Sequence, residues 1–553
     1  MSAISAAAAA LGRIPRRPAR AAGRQARRGA LRAASALAAA AALATAAACG
    51  SSSSTGTASK PPSGRVLHLS FLQDPGQPPD PDIYYAGQGL LLTTNLYEGL
   101  LQYAAGTATP KIVADLATSW TAKGNTVFTL NLRHGVVFHD GTAFTSAAVE
   151  PSFKRRLAVN QGPAYMVADV KSVVTNGPYA VTITLNHPNA FFLHYLASAY
   201  GPRMMSPAGL AAHAGNDHDQ AYLRTHDLGA GPYYLTEART GSYYQMKAFS
   251  KYWGGEPYFT TVDMPVLTDA SAQQLQFDRG DLAAILHDLP ESAVKSYRSD
   301  KAIRSYSLPT MNSDFLYVNP RASFLTTPAA RTALLGAINV HQIFNEVFVG
   351  RATIADQAYP PHMMSPGMGT QDIAYQPSAL GNLVKSLPTG QRQLTIGYDS
   401  SSPDNQLVAN LLSAQLDPLG LTVRVQSYPT SQIFGWISSV AAAKGAPAIL
   451  LYGGWPDAAP PYMWAHISWD PGAGLNYLHC SSPAITKLLA SGLETGAMQD
   501  FSTAGQLAVA TGCWDNLVNQ DDFMVAQPWL KGVAAAHVVG APYTLSIAKL
   551  SAG

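Results

Sequence analysis

The sequence predicts an α/β protein of more than one domain, and three observations carry that prediction. The 553 residues exceed several times over the ~100 to 200 of a single domain, and 47% of them are hydrophobic. Residues 393–457 read as strand, helix, strand, helix, strand, an order that calls for a parallel sheet with right-handed crossovers. Elsewhere, turn dipeptides separate alternating apolar runs, as in antiparallel hairpins. With 13% charged residues and three cysteines, the chain is neither a disordered acidic polymer nor a disulfide-stapled miniprotein.

Taken in order, Arg65 to Leu72 (RVLHLSFL) alternates as a strand. Thr126 to Val137 reads as a hairpin, and Val173 to Leu185 as a second one turning at Asn176-Gly177. Thr145 or Ser146 caps a helix that runs through Arg156. Tyr233 to Phe249 reads as a further hairpin, turning at Thr240-Gly241.

In the parallel unit, Gln393 to Tyr398, Leu421 to Gln426 and Ala448 to Tyr452 are the strands. Asn405 to Leu416 is a helix with Leu407, Val408, Leu411, Leu412 and Leu416 on its apolar face, and Ser431 to Ala443 is the second helix. Ligands of open sheets gather beyond the carboxyl ends of the strands. Tyr452, Gly453, Gly454, Trp455 and Asp457 lie there. An indole offers a flat face for stacking, and a carboxylate at a pocket edge pairs with an ammonium group. The same segment also reads as a solvated turn with Trp455 packed beneath it, and both readings stand at this point.

The formal charge of +3 is not spread along the chain. Residues 1–48 hold eight arginines, no lysine and no acid, so the remaining 505 residues carry −5. That balance gives no reason to expect a nucleic-acid partner. An uncharged, alanine-rich run from Ala33 to Ala48 follows the arginines, too short for a spanning helix and suited to an export signal. Arg27-Arg28-Gly29-Ala30-Leu31 also resembles a loose twin-arginine signal.

Ala46-Ala47-Ala48-Cys49 resembles a lipoprotein cleavage site, with Ala46 where leucine is usual. Cys49 is then the lipid-bearing first residue, and Ser51 to Ser54 begins a flexible tether. A secretory signal that merely contains a cysteine is the alternative. Lipidation removes the odd thiol and leaves Cys480 and Cys513 either as a disulfide in an oxidising exterior or as two buried free thiols.

Catalytic signatures are missing. No G-x-S-x-G, H-E-x-x-H, P-loop or C-x-x-C motif occurs. Gly229-Ala230-Gly231 precedes a strand and lacks a third glycine, so it is no dinucleotide fingerprint. His213, Asp217, His218 and Asp219 suggest a polar loop, and His362, Met363, Met364 and Met368 loop packing, in preference to metal sites. His134 and His139 are expected at the surface. No cofactor and no metal is expected.

Several blocks together carry a family resemblance. They are Asn95-Leu-Tyr-Glu-Gly-Leu100, Ile112 to Trp120, Phe128 to Asp140 and Ser152 to Arg155, then Leu228-Gly-Ala-Gly-Pro-Tyr233, Tyr252-Trp-Gly-Gly-Glu-Pro-Tyr258 and Ala330 to Asn339. In this order, over about residues 65–530, they resemble the family 5 extracellular solute-binding proteins, the peptide, oligopeptide and nickel receptors of ABC importers.

The resemblance implies a two-lobed, periplasmic-binding-protein-like fold (type II, cluster C) with interlobe hinge strands and an inserted domain. The expected limits are 1–48 for the leader, 49–63 for lipidated Cys49 and tether, 64–103, 225–307 and 526–553 for lobe I, 104–224 for the insertion, and 308–525 for lobe II. It further implies a monomeric, lipid-anchored receptor on the outer face of the cytoplasmic membrane that delivers a small solute, a peptide in the first place, to permease subunits. A nickel chelate or oligosaccharide is the alternative ligand, and an exported hydrolase the remote alternative. Trp455 and Asp457 match by type and place the family's stacking residue and α-ammonium ligand, with one residue between them where relatives commonly have two. Tyr84, Tyr85, Ala86 and Gly87 map to the facing contacts of the first lobe, and otherwise read as an aromatic loop packing on its own lobe.

Overall fold

The computed structural model describes residue 61 and residues 63–371 and 373–553; the leader, Cys49 and nearly all of the tether lie outside the described residues. One lobe is built on a four-stranded sheet in the order Val66–His68, Thr261–Pro265, Tyr243–Ala248, Tyr233–Arg239, with the first pair parallel and the others antiparallel. Its core joins Leu67, Leu91, Tyr233, Met246 and Val262 to the C-terminal Leu530 and Ile547. Gly229 and Gly231 let the chain run directly over the end of helix Leu90–Leu96, since a Cβ at either would lie 2.0 to 2.5 Å from a main-chain oxygen of Leu96 or Asn95.

The second lobe carries a seven-stranded mixed sheet. Gln393–Asp399 pairs in parallel with Thr422–Tyr428 on one side and Ile449–Gly454 on the other. Helix Pro403–Leu416 covers this unit, burying Val408, Ala409, Leu412 and Leu416. Leu407, expected on that face, is 45% exposed: the buried stripe runs through Asn405, Val408, Ala409, Leu412 and Leu416, and at about 100° per residue Leu407 lies on the other side of Val408 from Ala409.

Two further expectations are corrected. Thr126 to Val137 is not a hairpin but mainly the single strand Val127–Leu132, paired with Ala117–Lys123 and Ala180–Leu185. The hairpin turn lies earlier, at Gly124 and Asn125, both of which hold the positive φ that a tight two-residue turn needs. The helix expected from Ser431 to Ala443 breaks into Thr430–Gly435 and two short 3₁₀ turns. Ser438 donates to the Gly435 carbonyl and Ser439 accepts from the Ala442 amide, so two serine hydroxyls offer the backbone local partners in place of the helical ladder.

The lobes are joined by one long ladder. Strand Arg304–Val318 pairs antiparallel with Trp514–Ala526 from Arg304 opposite Ala526 to Tyr317 opposite Trp514. At one end Met524 and Ala526 lie in the first core; at the other, Leu316, Val318, Leu517 and Val518 lie in the second. The register breaks between Pro309 and Asn312, at the crossing point. There Pro309 has no amide to donate, and the Thr310 hydroxyl bonds the Gln520 carbonyl and accepts from the Asn312 amide.

A third sheet, in the order Ala117–Lys123, Val127–Leu132, Ala180–Leu185, Val170–Thr175, packs with helix Val149–Val159. That helix carries two buried arginines. Arg155 donates to both carboxylates of Asp80 and Asp82, and Arg156 to Asp82 and to the carbonyls of Pro81, Tyr200 and Gly201, all at 2.7 to 3.0 Å. Asp219, from the loop read as polar, closes the group at 3.7 Å from Arg155.

Breaking one member of such a buried group leaves its partners charged and unpaired. Arg156→Met is therefore expected to cost about 3 to 5 kcal/mol. In urea titrations its midpoint should fall well below that of Lys154→Ala, whose exposed i,i+4 pair with Glu150 is worth only ~0.5 kcal/mol or less. Equal midpoints would remove the clasp from its structural role.

Candidate functional site

The carboxyl ends of the parallel strands face the loop that Arg155 and Arg156 hold. Gly453 and Gly454 continue strand Ile449–Gly454, opposite Asp314 and Ser313. The glycines serve close packing: a Cβ on Gly454 would lie 3.2 Å from the Trp464 ring, and one on Gly453 2.9 Å from Asp314 Oδ1. The strand then delivers Trp455 and Asp457 against residues of the other wall.

Asp457 is 5% exposed. Its Oδ2 accepts hydrogen bonds from the Tyr85 and Tyr165 hydroxyls, the latter at 2.5 Å, and its main-chain oxygen accepts from Ser198. Oδ1 accepts none among the described residues, and no Lys, Arg or His nitrogen among them forms an ion pair with it. Burial pushes the carboxyl up to about 6, held back by the two phenol hydrogen bonds and the field of His466. The same burial, with Asp457 beside them, raises the Tyr85 and Tyr165 phenols well above their usual range.

Trp455 donates from Nε1 to the Tyr200 hydroxyl at 2.8 Å, and Tyr200 donates to the Ala86 carbonyl at 3.2 Å. The indole meets the Tyr543 ring edge-on at 5.4 Å. Gly87 is hemmed in by both rings, for a Cβ there would lie 2.3 Å from Tyr543 and 3.1 Å from Trp455. Tyr543 itself holds φ 56, unusual for a residue with a Cβ.

Of the residues expected from sequence, the structure brings together Trp455, Asp457, Tyr85, Ala86 and Gly87. Tyr84 turns away: it is 2% exposed and its hydroxyl accepts from the Gly89 amide within its own loop. Tyr452 lies beside the site in a separate aromatic group with Phe434 and Tyr477. Tyr165, Ser198, Tyr200 and Tyr543 were not expected. The excess of 26 tyrosines over 17 phenylalanines was their only trace in the sequence.

His139, expected at the surface, has a 7% exposed side chain that bonds Asp227 through Nδ1 and the Gly231 carbonyl through Nε2, pinning the Leu228–Tyr233 turn. Cys480 and Cys513 are joined in the structure, with Cα atoms 6.4 Å apart. No set of three or more His, Cys, Asp or Glu side chains suited to a metal occurs among the described residues.

The family described as "Bacterial extracellular solute-binding proteins, family 5 Middle" matches residues 111–475. The probable D,D-dipeptide-binding periplasmic protein of Escherichia coli (strain K12) is 25% identical over 483 residues, covering 84% of this chain and 91% of that protein. The structure is similar to that of the periplasmic binding protein DppA from Helicobacter pylori in complex with the peptide STSA, with a TM-score of 0.74, 20% identity, and 88% and 98% of the two chains covered. It is equally similar to NikZ from Campylobacter jejuni in complex with Ni(L-His), with a TM-score of 0.75, 19% identity, and 88% and 99% covered.

Because the folded Asp457 binds its proton more tightly than an unfolded aspartate, the native state holds the extra proton between pH 4 and 6. Stability attributable to Asp457 is therefore highest in acid and is lost as pH rises to about 6. Wild type should lose up to about 3 kcal/mol relative to Asp457→Asn between pH 4 and 7. Thermal melts of the two proteins across that range check this, and a constant difference would contradict it.

Proposed function

The chain belongs to the bacterial extracellular solute-binding proteins of family 5, and from that premise we propose that it is the receptor of an ABC importer, capturing peptides by closure of its lobes and handing them to a membrane permease. The observation that carries the peptide reading is Asp457: a buried carboxylate with Oδ2 held by two phenols and, among the described residues, no cationic partner and no hydrogen bond at Oδ1. Ionised, it opposes closure through its desolvation cost, and an α-ammonium at Oδ1 removes that cost. Ligand thereby favours the closed form, which is how binding becomes a signal to the permease.

Trp455 supplies the stacking face and Tyr85, Tyr165, Ser198 and Tyr200 the opposing hydroxyls. One residue between Trp455 and Asp457 suffices because Tyr85 and Tyr165 come to meet the carboxylate from the facing wall. The names of the relatives favour the same ligand class, since one is called a D,D-dipeptide-binding protein and another was solved with a peptide. The hinge of this receptor is the Pro309–Asn312 crossing, close to the 308–525 limits of lobe II, with 104–224 as the inserted domain.

The mature protein is proposed to begin at lipidated Cys49, on the outer face of the cytoplasmic membrane, with Cys480 and Cys513 bonded in that oxidising compartment. Intact-mass spectrometry of detergent-extracted protein should give a chain starting at Cys49 with added acyl mass, gaining two hydrogens on reduction. A chain without acyl mass would make it a secreted protein.

Calorimetric titration with Ala-Ala and N-acetyl-Ala-Ala tests the site. Free Ala-Ala should bind at pH 7.5, weaken below pH 6 as Asp457 takes up its proton, and lose ~30-fold or more in Asp457→Asn. The acetylated peptide should bind weakly to both. Unchanged affinity in the variant would take Asp457 out of the site.

A further inference from the structure

A second buried carboxylate stands near the same strand end. Asp314 lies opposite Gly453, two residues before Trp455, and is 4% exposed. Its Oδ2 accepts from the Gln520 side-chain amide, while Oδ1, which lies where a Gly453 side chain would begin, accepts no hydrogen bond among the described residues. No Lys, Arg or His among them forms an ion pair with it either. Arg351 acts on it through its field alone, its donors being taken by Glu291, Asp404 and the Val347 carbonyl. Burial, and then the field of Asp404, push the Asp314 carboxyl up to about 7, against the Gln520 hydrogen bond and Arg351. A cation brought to Oδ1 removes the cost of that buried charge.

The other lobe brings a further acid to the same place. Tyr543, the ring that meets Trp455 edge-on, also meets His287 edge-on at 4.6 Å. Asp288 follows His287, and its Oδ2 bonds both His287 Nδ1 at 2.8 Å and Gln88 Nε2 at 3.3 Å. Its Oδ1 accepts no hydrogen bond among the described residues, and the side chain is 32% exposed. Burial, then the fields of Asp288, Asp522, Tyr452 and Asp314, hold the Tyr543 phenol well above its usual range, so acids from both lobes converge on one ring. Of these acids, Asp522 is already met by His537 at 3.2 Å. Solvent reaches the place, for Gly453, Trp455 and Tyr543 are all partly exposed.

We propose that Asp314 and Asp288, with the Trp455 and Tyr543 rings beside them, form a second cation subsite, which takes the basic side chain of a peptide whose α-ammonium is held at Asp457. The ligand class is thereby narrowed to peptides with a lysyl or arginyl residue near the amino end. This deepens the peptide reading of the same cleft and rests on it. Gly453, beside Asp314, and Asp457 are four residues apart, ~14 Å at most along an extended chain, a span that one short peptide with a long side chain bridges. Carboxylate oxygens without partners give such a side chain charge-assisted hydrogen bonds, and ring faces favour a cation over a neutral group of the same shape.

Titrations of the mature protein in ~0.3 M salt, which screens the net charge of the chain, compare Ala-Lys with the neutral Ala-norleucine and Lys-Ala with norleucyl-Ala. In at least one pair the lysyl peptide should bind ~10-fold or more tightly. Either of Asp314→Asn and Asp288→Asn should narrow that gap severalfold, the partly exposed Asp288 serving alone should the buried variant fail to fold. Equal affinities within both pairs, or a gap that survives in both variants, would overturn the subsite while the α-ammonium site at Asp457 stands. Should no dipeptide bind, the peptide reading fails and the subsite is judged separately by ligand-observed NMR: binding of 1,5-diaminopentane but not of pentylamine, lost in Asp314→Asn or Asp288→Asn, supports it, and no difference between the two amines overturns it.

Discussion

The cleft depends on the buried pairing of Arg155 and Arg156 with Asp80 and Asp82. These four side chains join three stretches far apart in sequence: the loop carrying Tyr84 to Gly87, the helix of the inserted region, and the turn at Ser198 to Gly201. Guanidinium suits this role because its planar fork spreads five donors over carboxylates and carbonyls at once. Taking such charges out of water is costly, and that cost is offset only when every partner is in place. The wall that faces Asp457 is therefore assembled as a unit, and Tyr85, Ser198 and Tyr200 reach it together.

Against that wall the second lobe presents one carboxylate and one indole on a short strand extension. The balance at Asp457 is fine. Burial favours the protonated acid, while the Tyr85 and Tyr165 hydroxyls favour the ion, and the outcome lies near pH 6. A cation entering the cleft tips that balance more than a neutral solute can. The hinge ladder lets this local event move whole lobes, because the same two strands end in separate cores and one of their register breaks, at Pro309 to Asn312, falls where they cross between them.

Much of the fold was legible. The strand-helix-strand-helix-strand order, the Asn176-Gly177 and Thr240-Gly241 hairpins and the Thr145 cap all follow from local pattern, and each stands in the structure. The errors were local as well. Gly124-Asn125 carried a turn signal as strong as Asn176-Gly177, and Ser438 and Ser439 were helix breakers hidden inside an apolar period.

The amino-acid sequence by itself determined the charge of residues 1–48, most of the strands and helices, and the presence of Trp455 and Asp457 at a strand end, because these are set by neighbours a few residues apart. Only the tertiary structure decided what meets them. Tyr85 reaches Asp457 across 372 residues, Tyr165 across 292 and Ser198 across 259, and Tyr200 reaches Trp455 across 255. No periodicity marks a tyrosine for such a meeting, since a phenol packs as well in a core as in a cleft. It is the long-range ion cluster and the hinge ladder that choose which phenols keep their hydroxyls in the cleft.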